Sequence, residues 1–172
     1  MQNFRWFLLP VLAVLLQAPV NAELDEDYET KQWTEVETQL PAPPKEAGLQ
    51  SFYVSAATNN KFFIDLPSLT VGADGVVRYS LVVLTQGGAR NVSFEGIRCE
   101  AREHRIYATG RRDGTWSKSR NNEWERIQDE YANRVHAALF LDYFCPGGVI
   151  VPSADEAKNA LKLGGHPANK QW

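Results

Sequence analysis

The sequence predicts an α+β fold, an antiparallel β-meander with about two C-terminal helices packed on one face. Three observations predict it. Between residues 51 and 110, short apolar runs alternate with period two and are separated by turn residues. From Ile127 the apolar period lengthens to that of a helix. A second helical segment beginning after Ser153 carries its own start and stop residues.

The elements follow in chain order. In "SFYVSA", Phe52, Val54 and Ala56 share a face, and in "KFFIDL" Phe62, Ile64 and Leu66 do the same. Between them, "ATNN" supplies residues that tolerate turn backbone angles. Asp74-Gly75, a strong hairpin signal, precedes "VVRYSLVVL", which puts Val77, Tyr79, Leu81 and Val83 on one side. After Gly87-Gly88, "NVSFEGIRC" opens with Val92 and Phe94 on one face, but Ile97 and Cys99 fall on the other. A bulge at Gly96 is expected to return Ile97 and Cys99 to the core side. "HRIYATG" is the fifth strand candidate, and Asp113-Gly114 is another turn. Ile127, Tyr131, Val135, Ala138 and Leu139 then repeat at helical spacing to about Tyr143, a stripe that needs the sheet to cover it. After Cys145, "PGG" breaks the chain and "VIV" predicts a short strand. "SADEAKNALKLGG" predicts a helix with a Ser153–Glu156 capping box and Gly164 at its end.

The ends read differently from the body. Residues 1–22, "MQNFRWFLLPVLAVLLQAPVNA", have the charged, apolar, small-residue order of a secretory signal peptide. The apolar run from Trp6 to Leu16 is shorter than the roughly 20 residues that a membrane-spanning helix needs. A lipoprotein anchor needs a cysteine just after that run, and none stands there. Cleavage after Ala22 is therefore expected to leave a soluble chain with no transmembrane segment. Residues 23–50 form an acidic, proline-rich arm, 51–163 a single α+β domain, and 164–172 a flexible tail. Trp33 and Val36 are the residues that would dock the arm; the alternative is an exposed pair in a mobile segment.

The formal charge of −3 offers no basic balance for nucleic acid. It is unevenly spread. Residues 23–66 carry three lysines against nine acids, whereas 98–134 carry nine cations against seven acids. The arm would then lie against the body, or the body would bind an anionic partner; the default reading is a solvated surface.

The two cysteines decide whether the chain does chemistry. A secreted chain meets an oxidising compartment, where paired cysteines join. Cys99 falls on a strand and Cys145 just past the helix that should pack on it, so a Cys99–Cys145 disulfide is expected to pin helix to sheet. A zinc site using Cys99, His104, His136 and Cys145 has the wrong ligand spacing. A nucleophilic cysteine with His104 or His136 as base would be disabled by oxidation. His136 reads as a packed helical residue, and Asp65 with Asp142 as a carboxylate pair whose geometry a sequence does not show. Nothing matches G-x-S-x-G, H-E-x-x-H, a P-loop or a glycine-rich nucleotide loop, so no catalytic residue, metal or cofactor is predicted.

The remaining functional candidate is "GRRDGTWSKSRNNEWERI", residues 110–127. Trp116 and Trp124 stand among Arg111, Arg112, Lys118, Arg120 and Arg126, a pattern that stacks on sugars or grips anionic polymers. The structural alternative is a connection that folds back, with indoles covering the sheet edge and cations stacked on them.

"FYVSAATNNKFFIDLPSLTVGADGVVRYSLVV", "NVSFEGIRCEARE", "DGTWSKSRNNEW" and "DYFCPGG" resemble the cryptic neisserial protein-like family of bacterial envelope proteins, over roughly residues 40–163. The resemblance implies a Gram-negative periplasmic location. Many members look like lipoproteins, whereas this chain lacks the anchoring cysteine. The cysteines of "GIRC" and "DYFC" fall on Cys99 and Cys145. The family brings no activity, cofactor or catalytic residue to carry over. The expected function is a non-catalytic envelope module that binds an envelope protein, a glycan or an anionic envelope surface through Arg111, Arg112, Trp116, Lys118, Arg120 and Trp124. The alternative is a hydrolase of a periplasmic substrate.

Overall fold

A computed structural model describes residues 32–128 and 134–169. The signal peptide read in residues 1–22, the acidic stretch that follows it to residue 31, and Tyr131 of the first helical stripe lie outside the described residues.

Among the described residues, seven strands form one antiparallel sheet: β1 (Leu49–Phe52), β2 (Lys61–Val71), β3 (Val76–Leu84), β4 (Arg90–Arg98), β5 (Glu103–Gly110), β6 (Trp116–Lys118) and β7 (Glu125–Arg126). The first six are neighbours in sequence order, and β7 pairs with the start of β5. The α+β meander predicted from the period-two runs is the architecture observed. β1 starts two residues earlier than "SFYVSA" suggests, because Leu49 and Gln50 find partners in Asp65 and Ile64.

β3 is buried from Val76 to Val82, so both faces of the sheet are covered. One face carries Ile64, Val77, Tyr79, Leu81 and Ile97, which form a single core with Ala137, Leu139, Phe140, Tyr143, Phe144, Ala157, Ala160 and Leu161 from the C-terminal helices. Val76, Val82, Phe94 and Ala108 are buried outside that core, on the opposite face. The alternation of "NVSFEGIRC" needs no correction by a bulge. β4 pairs with β3 in unbroken register from Arg90 to Arg98, so Ile97 points to the helices and Phe94 away from them. The irregularity expected at Gly96 lies instead in β5. Phe94 pairs with Ala108 and Glu95 with Ile106, leaving Tyr107 as the extra residue.

A second break separates Asp65 from Thr70 in β2, where Pro67 has no N–H for the ladder. Ser68 stitches it: its hydroxyl donates to the Asp65 carbonyl and accepts from the Ser80 N–H, both at 2.8 Å.

The first helix is described over α1 (Arg134–Ala138) and runs straight into a π-helical turn, Leu139–Phe144. Ile127, expected at its start, belongs elsewhere. Glu125 and Arg126 pair with β5, and the buried Ile127 donates its N–H to the Arg102 carbonyl. The "VIV" segment is no strand; Val151 turns inward with its N–H on the Phe144 carbonyl. Cys99, just past β4, is bonded to Cys145, just past the π turn, with Cα atoms 5.6 Å apart. The bond ties helix to sheet and takes both sulfurs out of the zinc and nucleophile alternatives.

α2 (Ala154–Lys162) begins at Ser153, whose side chain accepts from the Glu156 N–H, and ends before Gly164 at φ +70°. Only half of the capping box forms, because the Glu156 carboxylate turns to His166 Nε2 at 2.8 Å. His166 N–H also reaches the Asp142 carbonyl, and Asn169 Nδ2 reaches that of Leu141. The part of the tail from His166 to Asn169 is therefore packed on the helical layer. No helix among the described residues is long and apolar enough to cross a membrane.

Candidate functional site

The face of the sheet away from the helices carries Arg78 of β3, Gly96 and Arg98 of β4, and Arg105 with the extra Tyr107 of β5. Trp124 stands one residue before β7. Three arginines and two aromatics on one face need both an apolar cover and counter-charges. The arm supplies both. From Trp33 to Pro44 it has no helix or strand, as expected where Pro41, Pro43 and Pro44 remove N–H donors. It lies across this face, held chiefly by side chains.

Its backbone is gripped at four points. Val36 donates its N–H to Asp74 Oδ2 at 2.8 Å and accepts from Arg78 at 3.2 Å. The Pro41 carbonyl accepts from Trp116 Nε1 at 2.8 Å, and that of Pro44 from Arg90 at 3.3 Å. Trp33 donates its indole N–H to the Asp74 carbonyl at 2.8 Å. Its ring lies 4.1 Å from the Arg98 guanidinium and meets Trp124 edge-on at 5.8 Å.

Glu35 sits at the centre. One carboxylate oxygen accepts from Tyr107 Oη at 2.6 Å and from Arg78 at 3.4 Å. The other accepts from Arg105 and from Trp124 Nε1, the latter at 3.2 Å. Two guanidinium groups, a phenol and an indole thus converge on one carboxylate. Charge-assisted bonds of this kind are among the stronger ones available to a protein. Gly96 leaves the space: a Cβ there would come within 2.7 Å of Tyr107 Oη and 3.0 Å of Val76.

The electrostatics agree. Burial pushes the Asp74 carboxyl up, but the hydrogen bond and charge of Arg78 together with the Val36 and Val76 N–H groups outweigh this and hold it below the ordinary carboxylate value. Burial would favour a neutral Arg78, yet Asp74 keeps it charged. Burial, then the bond to Glu35, pushes the Tyr107 hydroxyl up, so it remains a donor at neutral pH. The arm bridges this face without filling it. A cavity of about 310 Å³ beside Glu35 is lined by Leu40, Arg105, Tyr107 and Lys118. Another of about 440 Å³ lies between Pro41–Gly48 and β2, over Asp65 and Pro67. Burial raises the pKa of Asp65 there, against the hydrogen bond from Ser68.

A second polar cluster lies inside the helix-covered core. Glu95 accepts from Ser93 Oγ at 2.5 Å and from Tyr79 Oη at 3.3 Å, and its Oε2 is 2.9 Å from His136 Nε2. Burial pushes the Glu95 carboxyl up, but the charge and hydrogen bond of His136 outweigh it and hold it low. His104 stacks on His136; burial, then the charge of His136, lowers its pKa to about 4. Neither ring nitrogen of His104 meets a partner among the described residues. Asp65 and Asp142 do not come together: the first lies under the arm, the second in the π turn.

The six residues of the sequence patch separate into two groups. Trp116 and Trp124 are half-buried and bond the arm. Arg111, Arg112, Lys118 and Arg120 are exposed at the rim, with Arg111 near Ser117 and Lys118 on the smaller cavity. The cations stacked on the indoles are Arg98 and Arg105 instead. Sequence reading missed Glu35, Arg78, Arg98, Arg105, Tyr107 and the buried Glu95. The opposed charges of arm and body were the one signal that pointed to the first group.

A family model described as the CNP1-like family matches residues 28–162, which span the described part of the arm, the sheet, α1 and α2. No curated protein and no solved structure matches the chain.

Proposed function

The chain belongs to the CNP1-like family, and from that membership we propose a non-catalytic interaction module of the bacterial cell envelope. It works in the periplasm after loss of residues 1–22, and its contact surface is the sheet face bearing Trp116, Trp124 and the rim of Arg111, Arg112, Lys118 and Arg120. The observation that carries this reading is the grip on Glu35, where side chains from two strands and a loop converge on a carboxylate of an extended segment. A surface that holds an acidic extended segment by its side chains and backbone together has the chemistry of peptide recognition.

The hydrolase alternative finds its best support in the Glu95–His136 pair, a carboxylate orienting an imidazole. That pair is sealed: Glu95 is 2 % exposed and His136 7 %. The cavity that reaches neighbouring His104 measures about 70 Å³, against the several hundred typical of ligand pockets. The pair reads better as a buried polar network of the core.

Crosslinking and capture of the tagged protein from its native envelope, with osmotic-shock fractionation alongside, tests the reading. Expected are release with the periplasmic contents and capture of a partner. That capture should weaken when Arg111, Arg112 and Arg120 are all changed to Glu, since none of them holds the arm. No capture at physiological salt, or capture indifferent to the charge reversal, overturns it.

A further inference from the structure

We infer that residues 33–44 are a surrogate ligand tethered in the protein's own groove, and that the groove takes an extended, glutamate-bearing, proline-containing peptide of a partner protein that displaces the arm. This deepens the reading above and rests on it.

Three observations carry the inference. First, the receptor belongs to the body and the ligand features to the arm. Arg78, Arg105, Tyr107 and Trp124 aim four donors at one carboxylate. Asp74, Arg78, Trp116 and Arg90 read arm backbone groups that any extended chain presents. The two prolines among these contacts, Pro41 and Pro44, offer only carbonyls, so the groove suits segments that cannot pair as strands. The spacing is specific: an aromatic residue two before the glutamate, on Arg98, and a proline six after it, under Trp116.

Second, the arm fits imperfectly. Val36 and Leu40 remain 51 % and 39 % exposed beside a cavity of about 310 Å³. A separate cavity of about 440 Å³ lies beneath Pro41 and Pro43. A groove shaped only to bury its own arm has no need of that volume, whereas a peptide with larger side chains at these positions would fill it.

Third, the tether permits exchange. The arm joins the sheet through Lys45 and a single 3₁₀ turn, Glu46–Gly48, which has no buried residue. Swinging about that turn breaks no strand pairing. A short tether holds its ligand at an effective concentration of order millimolar, so an outside peptide competes only when it binds better or when the arm is weakened.

The test uses the full secreted chain and a fluorescein-labelled synthetic peptide of residues 33–45, followed by anisotropy. Glu35→Gln, which removes the internal competitor's charge, is expected to bind the peptide at least ten-fold more tightly than the wild type. A peptide carrying glutamine at the Glu35 position should lose at least ten-fold on the same protein. Trp33→Ala/Glu35→Gln provides a second release of the arm. If both variants stay folded by circular dichroism and neither binds the peptide, the inference is overturned. It is also overturned if the double variant unfolds, since the arm would then be an integral layer of the core. A wild-type dimer in sedimentation that dissociates on Glu35→Gln, without peptide binding, would assign the groove to a second copy of this chain and overturn the partner assignment. The assay uses purified protein only, so its outcome is separate from capture in the envelope.

Discussion

His104 and His136 stack face to face, ring centroids 3.7 Å apart and planes within 12°, with the Glu95 carboxylate 2.9 Å from the second ring. Two imidazolium rings so placed would repel strongly, and one negative charge serves only one of them. His136 holds the bond to Glu95. His104 is the ring kept neutral, by burial and then by the charge of its neighbour, with Glu95 and Glu125 pulling weakly the other way.

Acid lability follows. The folded pKa of His104, about 4, lies below the ordinary 6.5. Between those values the unfolded chain binds a proton that the folded one does not, so stability is full above pH 6.5 and drains away as pH falls to 4. The loss is up to about 3 kcal/mol from this residue. From pH 4.5 downward, the lowered pKa of Glu95 takes stability in the same direction. Urea unfolding across that range checks this; His104→Phe should flatten the slope between pH 6.5 and 4.

The Cys99–Cys145 bond closes a separation of 46 residues. Chain-entropy reasoning assigns it about 4 kcal/mol as an upper value. Alkylation under denaturing, non-reducing conditions should find no free thiol. Reduction, or Cys99→Ala with Cys145→Ala, should lower the denaturant midpoint by an amount corresponding to about 2–4 kcal/mol.

Under the arm, Arg78 is shared unequally. It is bound to Asp74 at 2.6 Å, with side-chain exposures of 5 % and 1 %, and to Glu35 only at 3.4 Å. Asp74→Ala leaves the buried Arg78 with only the longer contact to Glu35 and is expected to cost about 3–5 kcal/mol. Glu35→Ala leaves Arg78 paired with Asp74, so it should cost less, about 1–3 kcal/mol. It should also expose residues 33–45 to limited proteolysis. Equal costs for the two would show that the arm and the Asp74 turn act as one unit.

Two glycines give opposite tests of packing. Gly96 meets Tyr107 and Val76 within 3.0 Å of a would-be Cβ, and Tyr107 is held by Glu35. Gly96→Ala should therefore cost about 1–3 kcal/mol and loosen the arm. Gly87 has nothing nearer than 3.9 Å, and Gly87→Ala should stay within about 0.5 kcal/mol. Thermal melts of the pair decide it.

Some of this was readable before folding because the signals are local. The Asp74-Gly75 turn, the alternation through β3 and the Ser153 cap each depend on neighbours a few residues away. Ile127 misled because its apolar character fits both a helical stripe and the inward residue after β7, and only pairing with β5 chose between them. Gly96 misled in a different way. Alternation looked broken because one face was assumed to be wet, whereas Phe94 and Ile97 are buried on opposite sides.

Period, turn chemistry and the number of cysteines were enough to determine the meander, the helical cover and the covalent tie. The tertiary structure alone decided that residues 33–44 lie across the face of the sheet away from the helices, that Glu35 is their anchor, and that Glu95 and two histidines share a dry interior. The reason is range. Glu35 meets Arg105, Tyr107 and Trp124 across 70, 72 and 89 residues of chain, and the β5 bulge that aims Tyr107 is a matter of register between strands. A sequence states which residues want burial or a counter-charge; only the folded backbone states which of them meet.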